Sequence, residues 1–285
     1  MSAQQTLRDG KLDEALAELQ QEIRRNPSDA KLRVFLFQLL AVQGQWDRAL
    51  TQLDVTGELD ASTLVMVQAY REAIRCEVLR GEVFAGKRTP LIFGEPPPWV
   101  ALLMESLRLS AQELYAQAGS LREQAFEQAP AAPGVIRCGV RGTDQLADET
   151  AQEEPFAWIA DADTRLGPVL EAIVNGRYYW IPLERIRQID FDPPADLRDV
   201  VWMPAHFVWT NGGEVVGLIP TRYPGSAEHA APEVRLARQT VWTEREGGAC
   251  FGLGQRVLAT EGGEYALLSL RQIAWQATGE TSHDA

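Results

Sequence analysis

The sequence predicts an α+β protein, in which a tetratricopeptide-like helical-repeat domain precedes a mainly β domain, either a small barrel or a rolled antiparallel sheet. Two observations lead to this prediction. A short motif recurs at positions 10 and 44, and this spacing is the period of tetratricopeptide helix hairpins. Beyond residue 155, short apolar runs alternate with Asn-Gly and Gly-Gly turns. We expect the helical domain at residues 1–130, a linker at 131–155, the β domain at 156–277 and a tail at 278–285.

The repeat has a physical basis in its glycine and alanine positions. Residues 10–16 read Gly-Lys-Leu-Asp-Glu-Ala-Leu, and residues 44–50 read Gly-Gln-Trp-Asp-Arg-Ala-Leu. Glycine takes the left-handed conformation that ends a helix, and the small alanine lets the partner helix approach closely. A degenerate third copy is predicted from Trp99, with residues 113–118 at the turn but without the glycine. The alternative is a plain helical bundle in which the similarity arises by chance.

Further elements follow from periodicity and from turn residues. Residues 62–86 are predicted to form one long helix, because apolar residues recur there at helical spacing. Residues 88–99 include three consecutive prolines, which exclude helix, and enough apolar side chains to predict packing against the rest of the protein. Prolines and glycines from residue 130, followed by a polar run to residue 154, indicate the linker.

Three β-hairpins are predicted in the second half. The strongest joins residues 169–174 to 177–181 through Asn175-Gly176, because Asn-Gly supplies both positive-φ positions of a type I′ turn. The second joins residues 200–210 to 214–219, and the third joins 253–260 to 264–270, each through a turn that contains two glycines.

Composition excludes several classes of function. The formal net charge of −13 over 285 residues argues against sequence-independent binding to nucleic acid or to an anionic membrane, although local basic patches remain possible. The first residues lack the apolar core of a signal peptide, so we expect a cytoplasmic protein. Three widely spaced cysteines do not suit a disulfide framework. The sequence contains no motif for binding a cofactor or a nucleotide, so no cofactor is expected to bind.

Several long motifs resemble one known family. Residues 158–171, 175–182 and 217–223 in the β half are similar to the ImpE family, whose members are also called TagJ or SciE-type proteins. Residues 32–40 and 70–76 in the helical half match the same family. The resemblance covers about residues 5 to 275 and is poorest in the linker, at residues 134–154.

The resemblance implies an accessory protein of the bacterial type VI secretion system, a contractile machine in the cytoplasm. Some members of the family resemble TagJ, which binds the N-terminal helix of the small sheath subunit, TssB, and is proposed to influence sheath assembly or turnover. The resemblance also implies that the protein has no enzymatic activity. This binding mode agrees with the repeat found in the sequence, because helical-repeat scaffolds can receive an amphipathic helix of another protein. The sequence does not indicate the oligomeric state.

Candidate partner-binding residues follow by analogy with tetratricopeptide geometry. In the unit at residues 30–61, the first helix would face the concave side of the repeat. Four of its residues are therefore predicted to lie near a bound helix: Lys31, Val34, Gln38 and Ala41.

A second candidate set is cationic and would hold acidic side chains of the partner. It consists of Arg33, Arg71 and Arg75, together with Tyr70. The alternative is that these arginines pair with carboxylates of the protein itself. Trp180 is a further candidate anchor, because tryptophan is enriched at binding hot spots, with burial in the β core as its alternative.

An enzyme is the rival class of function. Asp161 and Asp163 are two residues apart, and together with Glu171, Asp190 and Asp192 they could form a site for a hard metal ion such as Ca²⁺ or Mg²⁺. The later residues of a calcium loop are missing, and Thr164-Arg165 places a cation in the loop. An ionic cluster or a turn cap is the alternative, and no metal is expected.

Overall fold

The computed structural model describes residues 2–139 and 152–276. Its N-terminal part is helical, and the helices pack as antiparallel hairpins, α1 with α2, α3 with α4 and α6 with α7. The bounds of these helices are α1 (Ala3–Arg8), α2 (Leu12–Arg25), α3 (Ala30–Val42), α4 (Trp46–Leu59), α5 (Leu64–Phe84), α6 (Pro98–Ser110) and α7 (Tyr115–Gln128).

The hairpin turns confirm the predicted repeat. Gly10 and Gly44 have φ angles of 80° and 66°, in the left-handed region that glycine adopts without strain. In the third copy Glu113 occupies the same place and has a φ of 62°, so the turn is retained although the glycine is not. The predicted long helix is α5, which begins at Leu64 and ends at Phe84.

The remainder of the described chain is mainly β and includes one short α-helix, α8 (Pro232–Arg235). The strands are β1 (Leu91–Ile92), β2 (Gly134–Cys138), β3 (Gln152–Phe156), β4 (Ile159–Asp161), β5 (Val169–Val174), β6 (Arg177–Pro182), β7 (Ile186–Phe191), β8 (Trp202–Trp209), β9 (Glu214–Pro220), β10 (Thr240–Arg245), β11 (Ala249–Gly254), β12 (Val257–Thr260), β13 (Gly263–Ala266) and β14 (Leu270–Trp275). A nine-stranded open sheet has the order β1-β6-β5-β9-β8-β7-β14-β2-β3, beside the smaller sheets β13-β12-β4 and β10-β11.

All three predicted hairpins are present, as β5–β6, β8–β9 and β12–β13. At the first turn Asn175 and Gly176 have φ angles of 50° and 71°, as a type I′ turn requires. Strand β12 starts at Val257, four residues later than predicted, since Ala249–Gly254 forms β11 and pairs with β10 instead.

The predicted linker differs from its sequence-based interpretation, whereas the packing predicted for the proline-rich stretch is observed. The predicted linker contains strands at both ends: β2 and β3 pair with each other at the edge of the large sheet, and β2 also pairs with β14. Residues 140–151 and the predicted tail lie outside the described residues. In the proline-rich stretch, β1 pairs in parallel with β6, and Phe93 packs 4.2 Å from Trp209 between ring centroids, as its apolar content predicted.

The protein has two apolar cores separated by the large sheet. Alternation along β5 distributes its side chains between them: Val169 and Ile173 face the helices, whereas Leu170 and Ala172 face the opposite side. The first core includes residues of the helices together with Trp180 and other sheet residues, so helical and β parts share it. None of the described helices is long and apolar enough to span a membrane.

Candidate protein-binding surface

A buried ionic network joins the helical part to the sheet. Arg80 of α5 donates two hydrogen bonds to Glu171 of β5, from Nε at 2.7 Å and from Nη2 at 2.8 Å. Arg256 donates to the same carboxylate and also to that of Asp161. The hydroxyl of Tyr178 donates to Glu171, so this one carboxylate gathers donors from α5, β6 and the segment before β12.

The pKa values of the two carboxylates differ because their surroundings differ. Burial disfavours the charged form of Glu171, but Arg80 and Arg256 outweigh it and lower its pKa to about 2. Burial raises the pKa of Asp161 to about 6, and its single arginine partner, Arg256, only partly opposes this shift. Glu171 is therefore held as an anion by two cations within the interface between helices and sheet.

The contacts of Asp161 and Asp163 do not favour the alternative of a metal centre. Both oxygens of the Asp161 side chain are engaged, one by Arg256 and one by the Tyr223 hydroxyl at 2.8 Å. Asp163 is paired with Arg165 and accepts the backbone N–H of Gly252 at 2.8 Å. No cluster of three or more potential ligand side chains occurs in the described part of the chain. These carboxylates hold the sheet and its loops together.

The face of α3 that was predicted to bind a partner is covered by the protein itself. The buried Arg222, which follows β9, donates to the backbone carbonyl oxygens of Val42 at 2.8 Å and Ala41 at 3.3 Å. The 3₁₀ turn Leu197–Val200 also packs on α3. Gln38 and Ala41 are buried, which does not favour their predicted role in partner binding.

The rest of this predicted face is only partly accessible. Val34 is half-buried and Lys31 is exposed at the start of α3. The backbone N–H of Lys31 donates to the Asp29 side chain, which caps the helix.

The cationic candidates are largely engaged within the protein. Arg71 pairs with Asp54, and Arg75 with Glu72 at 2.8 Å, which is the alternative that the sequence left open. Arg33 donates to the side chain of Gln52 at 3.1 Å and to a backbone carbonyl.

The two aromatic candidates are buried, which does not favour their predicted role as partner contacts. The ring of Tyr70 lies 5.6 Å from that of Phe37 and 5.6 Å from that of Trp202, between α3 and β8. Trp180 is completely buried, and its indole N–H donates to the Tyr178 hydroxyl at 2.8 Å. Both side chains stabilise the contact between helices and sheet.

A different surface remains open to a partner. A groove of about 730 Å³ runs between the first turns of α5 and the neighbouring ends of β5 and β9. Val65 on one wall is 85% exposed and Val216 on the other is 68% exposed, whereas Ile173 forms part of the buried floor. We call this feature the α5–β9 groove, and its lining residues include Leu64, Val65, Gln68, Ala69, Ile173, Val216 and Leu218.

The groove was not predicted from the sequence, because the prediction of α5 relied only on the apolar residues of its buried face. Residues 64–67 read Leu-Val-Met-Val, and only Val67 of these four is fully buried. An apolar run that extends beyond one helical face is the signal that could have indicated an exposed patch. Val216 gave no such signal, because a valine in a strand is expected on either face.

Comparison with known proteins agrees with the two-part architecture. The family model described as "ImpE protein" matches residues 153–274, and the tetratricopeptide repeat model matches residues 6–69. The crystal structure of a Vibrio parahaemolyticus protein aligns with a TM-score of 0.81 at 23% identity, over 96% of this chain and 97% of that one. At this identity the likeness concerns the fold alone.

A curated relative extends the match over nearly the full length. The type VI secretion system accessory component TagJ of Pseudomonas aeruginosa is 51% identical over 278 residues, which are 98% of this chain and 92% of the relative. Identity at this level spans the helical repeats as well as the β part, so both belong to one family architecture. The chain is a member of the ImpE family, to which the TagJ proteins belong.

Proposed function

We propose that the protein is a non-catalytic accessory component of a bacterial type VI secretion system and acts in the cytoplasm. We further propose that it binds the N-terminal helix of the small sheath subunit, TssB, and thereby influences assembly or turnover of the sheath. The observation that carries the first proposal is the 51% identity to a TagJ accessory component over almost the entire chain.

The binding proposal has separate physical support. Helical repeats commonly recognise segments of other proteins, and the repeat model matches residues 6–69. The surface also has an apolar groove of the kind that receives the apolar face of a helix. A non-catalytic role is supported by the state of Asp161 and Asp163, since arginines already occupy both carboxylates.

The test is calorimetric titration of the full-length protein with a synthetic peptide of the sheath subunit's N-terminal helix. Saturable binding at micromolar or tighter affinity is expected. The control is a peptide of the same composition with its apolar residues redistributed around the helix, which should not bind. Absence of heat with both peptides, together with absence of competition in a fluorescence assay, would refute the TssB proposal.

A further inference from the structure

A cavity of about 90 Å³ lies between α5 and the segment that follows β9. Its wall is formed by the first residue of α4, by about one turn of α5 and by the loop at residues 222–228. Arg80 and Arg222 in this wall are buried, whereas Gly81 and Gly225 are exposed. The cavity therefore has a buried floor and reaches solvent at its rim. Among the described residues it shares no lining residue with the α5–β9 groove.

Gly81 leaves open space at the rim of the cavity. It lies in the last turn of α5, which ends at Phe84 and has Ala85 as its C-cap. Glycine is unfavourable inside a helix, because it loses more conformational freedom on folding than any other residue. Apart from the helix's own backbone and the adjacent residues, no atom of the described structure lies within 4 Å of a Cβ placed at Gly81. Packing therefore does not require a glycine here, and its missing side chain widens the cavity.

The floor of the cavity carries a guanidinium without a carboxylate partner. In the described part of the chain, the hydrogen bonds of Arg222 go to the backbone carbonyl oxygens of Val42 at 2.8 Å, of Ala41 at 3.3 Å and of Arg235. Burial lowers the pKa of Arg222 to about 10, and the charge of Glu77 opposes this shift only in part. An anionic group of a ligand would compensate the buried charge of Arg222.

The same cavity also presents carboxylate groups. Glu77 accepts a hydrogen bond from the indole N–H of Trp202 at 3.2 Å and another from Arg80 at 3.3 Å, and both are long for their type. A carboxylate has about four lone-pair sites, so Glu77 can accept further bonds from a ligand. Glu228 is exposed and lines the rim. These two carboxylates would repel a simple anion and attract a ligand that also carries a cationic group.

The size of the cavity limits the ligand to a very small molecule. A volume of about 90 Å³ corresponds to about three water molecules at about 30 Å³ each. We propose that this cavity binds a small zwitterion, namely a free α-amino acid such as glycine or alanine. The carboxylate of the ligand lies against Arg222, its ammonium group donates to Glu77, and Gly81 leaves the room for it at the rim. This activity is additional to the proposed binding of a partner helix.

The experiment measures thermal unfolding and calorimetric titration of the full-length protein with glycine, alanine, leucine, acetate and methylammonium. Gly81→Ala is the decisive variant, because alanine favours the helix and meets no neighbouring atom, so the fold is retained. Glu77→Gln removes the negative charge and keeps an amide oxygen that can accept from Trp202. The matched control is Val78→Ala, since Val78 is an exposed residue of the same helix that does not line the cavity.

We expect glycine or alanine to raise the unfolding temperature of the wild type and of Val78→Ala. Gly81→Ala should unfold at a higher temperature than the wild type without ligand, yet its affinity for the amino acid should be at least tenfold weaker, as should that of Glu77→Gln. Leucine, acetate and methylammonium should bind at least tenfold more weakly than glycine.

Three results would overturn the proposal: no binding of glycine or alanine to the wild type, equal binding to Gly81→Ala and wild type, or acetate that binds as tightly as glycine. Binding of the sheath peptide should be the same for Gly81→Ala and wild type. The amino-acid site and the partner helix can therefore fail separately.

Discussion

Among single residues, Arg256 is the side chain that joins the two carboxylates of the buried network. Its guanidinium donates to Asp161, to Glu171 and, from Nε, to the carbonyl of Pro220 at 3.0 Å. All of these groups are buried, so each donor bond satisfies a group that water cannot reach. The sequence indicated an acidic cluster here, but not its arginine partners, because Arg80 and Arg256 are distant in the chain.

Replacement of Arg256 should be strongly destabilising. Arg256→Met would leave Asp161 without its cation in a buried site, and loss of one partner from a buried pair costs about 3–5 kcal/mol. The matched control is Arg75→Met, because the Arg75–Glu72 pair is exposed and should contribute about 0.5 kcal/mol or less. Urea unfolding of both variants measures the two costs, and equal costs would contradict the role assigned to the network.

Glu171 should make the unfolding free energy depend on pH in a defined window. Its pKa is about 2 in the folded protein and 4.5 is its ordinary value, so it binds a proton more readily when unfolded. Its stabilising contribution is therefore complete above pH 4.5 and is lost as the pH falls towards 2. The stability difference between wild type and Glu171→Gln should shrink by about 3 kcal/mol across this window. A difference that stays constant from pH 5 to 2.5 would contradict the prediction.

At the scale of elements, the turns of the helical hairpins determine how the repeats are built. Gly10, Gly44 and Glu113 all adopt left-handed backbone conformations at the same place in their hairpins. Two of these turns could be predicted because glycine identifies the conformation locally. The third was the weaker prediction, since a glutamate at that position gives no local signal and tertiary packing of α6 against α7 holds its backbone.

Substitutions at two of these turns, Glu113→Gly and Gly10→Ala, should change the stability of the protein in opposite directions. Glu113→Gly removes the penalty of a left-handed non-glycine residue and should stabilise the protein by about 1 kcal/mol. Gly10→Ala introduces that penalty, and because a Cβ there meets only ordinary contacts at 3.8 Å, the backbone conformation alone should cost about 1 kcal/mol. Thermal unfolding of both variants provides the comparison. If Glu113→Gly instead lowers the stability, the contacts of the Glu113 side chain contribute more free energy than its left-handed backbone conformation costs.

At the scale of the whole molecule, the predicted helical and β domains are joined by a shared core. Tyr70, Trp180 and Trp202 belong to one apolar cluster that includes residues from both parts. The buried Arg80–Glu171 pair crosses the same interface, and β1 of the helical half adds a strand to the sheet. Separation of the parts would expose this cluster and leave buried charges unpaired, so they should unfold together.

Cooperative unfolding can be tested with two probes. Far-ultraviolet circular dichroism follows mainly the helices, and tryptophan fluorescence includes the buried Trp180 and Trp202 of the sheet. We expect the two urea transitions of the full-length protein to coincide. As a control, Trp202→Phe should shift both transitions to lower urea by the same amount. Two separated midpoints would indicate independent domains instead.

The features that could be predicted correctly from the sequence are local ones. The glycine turns of the repeat, the Asn175-Gly176 turn and the long helix at Leu64–Phe84 all depend on chemistry within a few residues, so each could be predicted without knowledge of the fold. The resemblance to the ImpE family likewise rests on contiguous motifs, and the full-length comparison confirms it.

Which surfaces are free depends on contacts between distant parts of the chain. Periodicity places Gln38 and Ala41 on one face of α3, but it cannot tell that Arg222, more than a hundred residues later, covers that face. It also cannot tell that Val65 and Val216 meet across an open groove. Burial and ion pairing depend on contacts between distant segments, and the free energy of those contacts, rather than local propensity, selects the exposed face of each element.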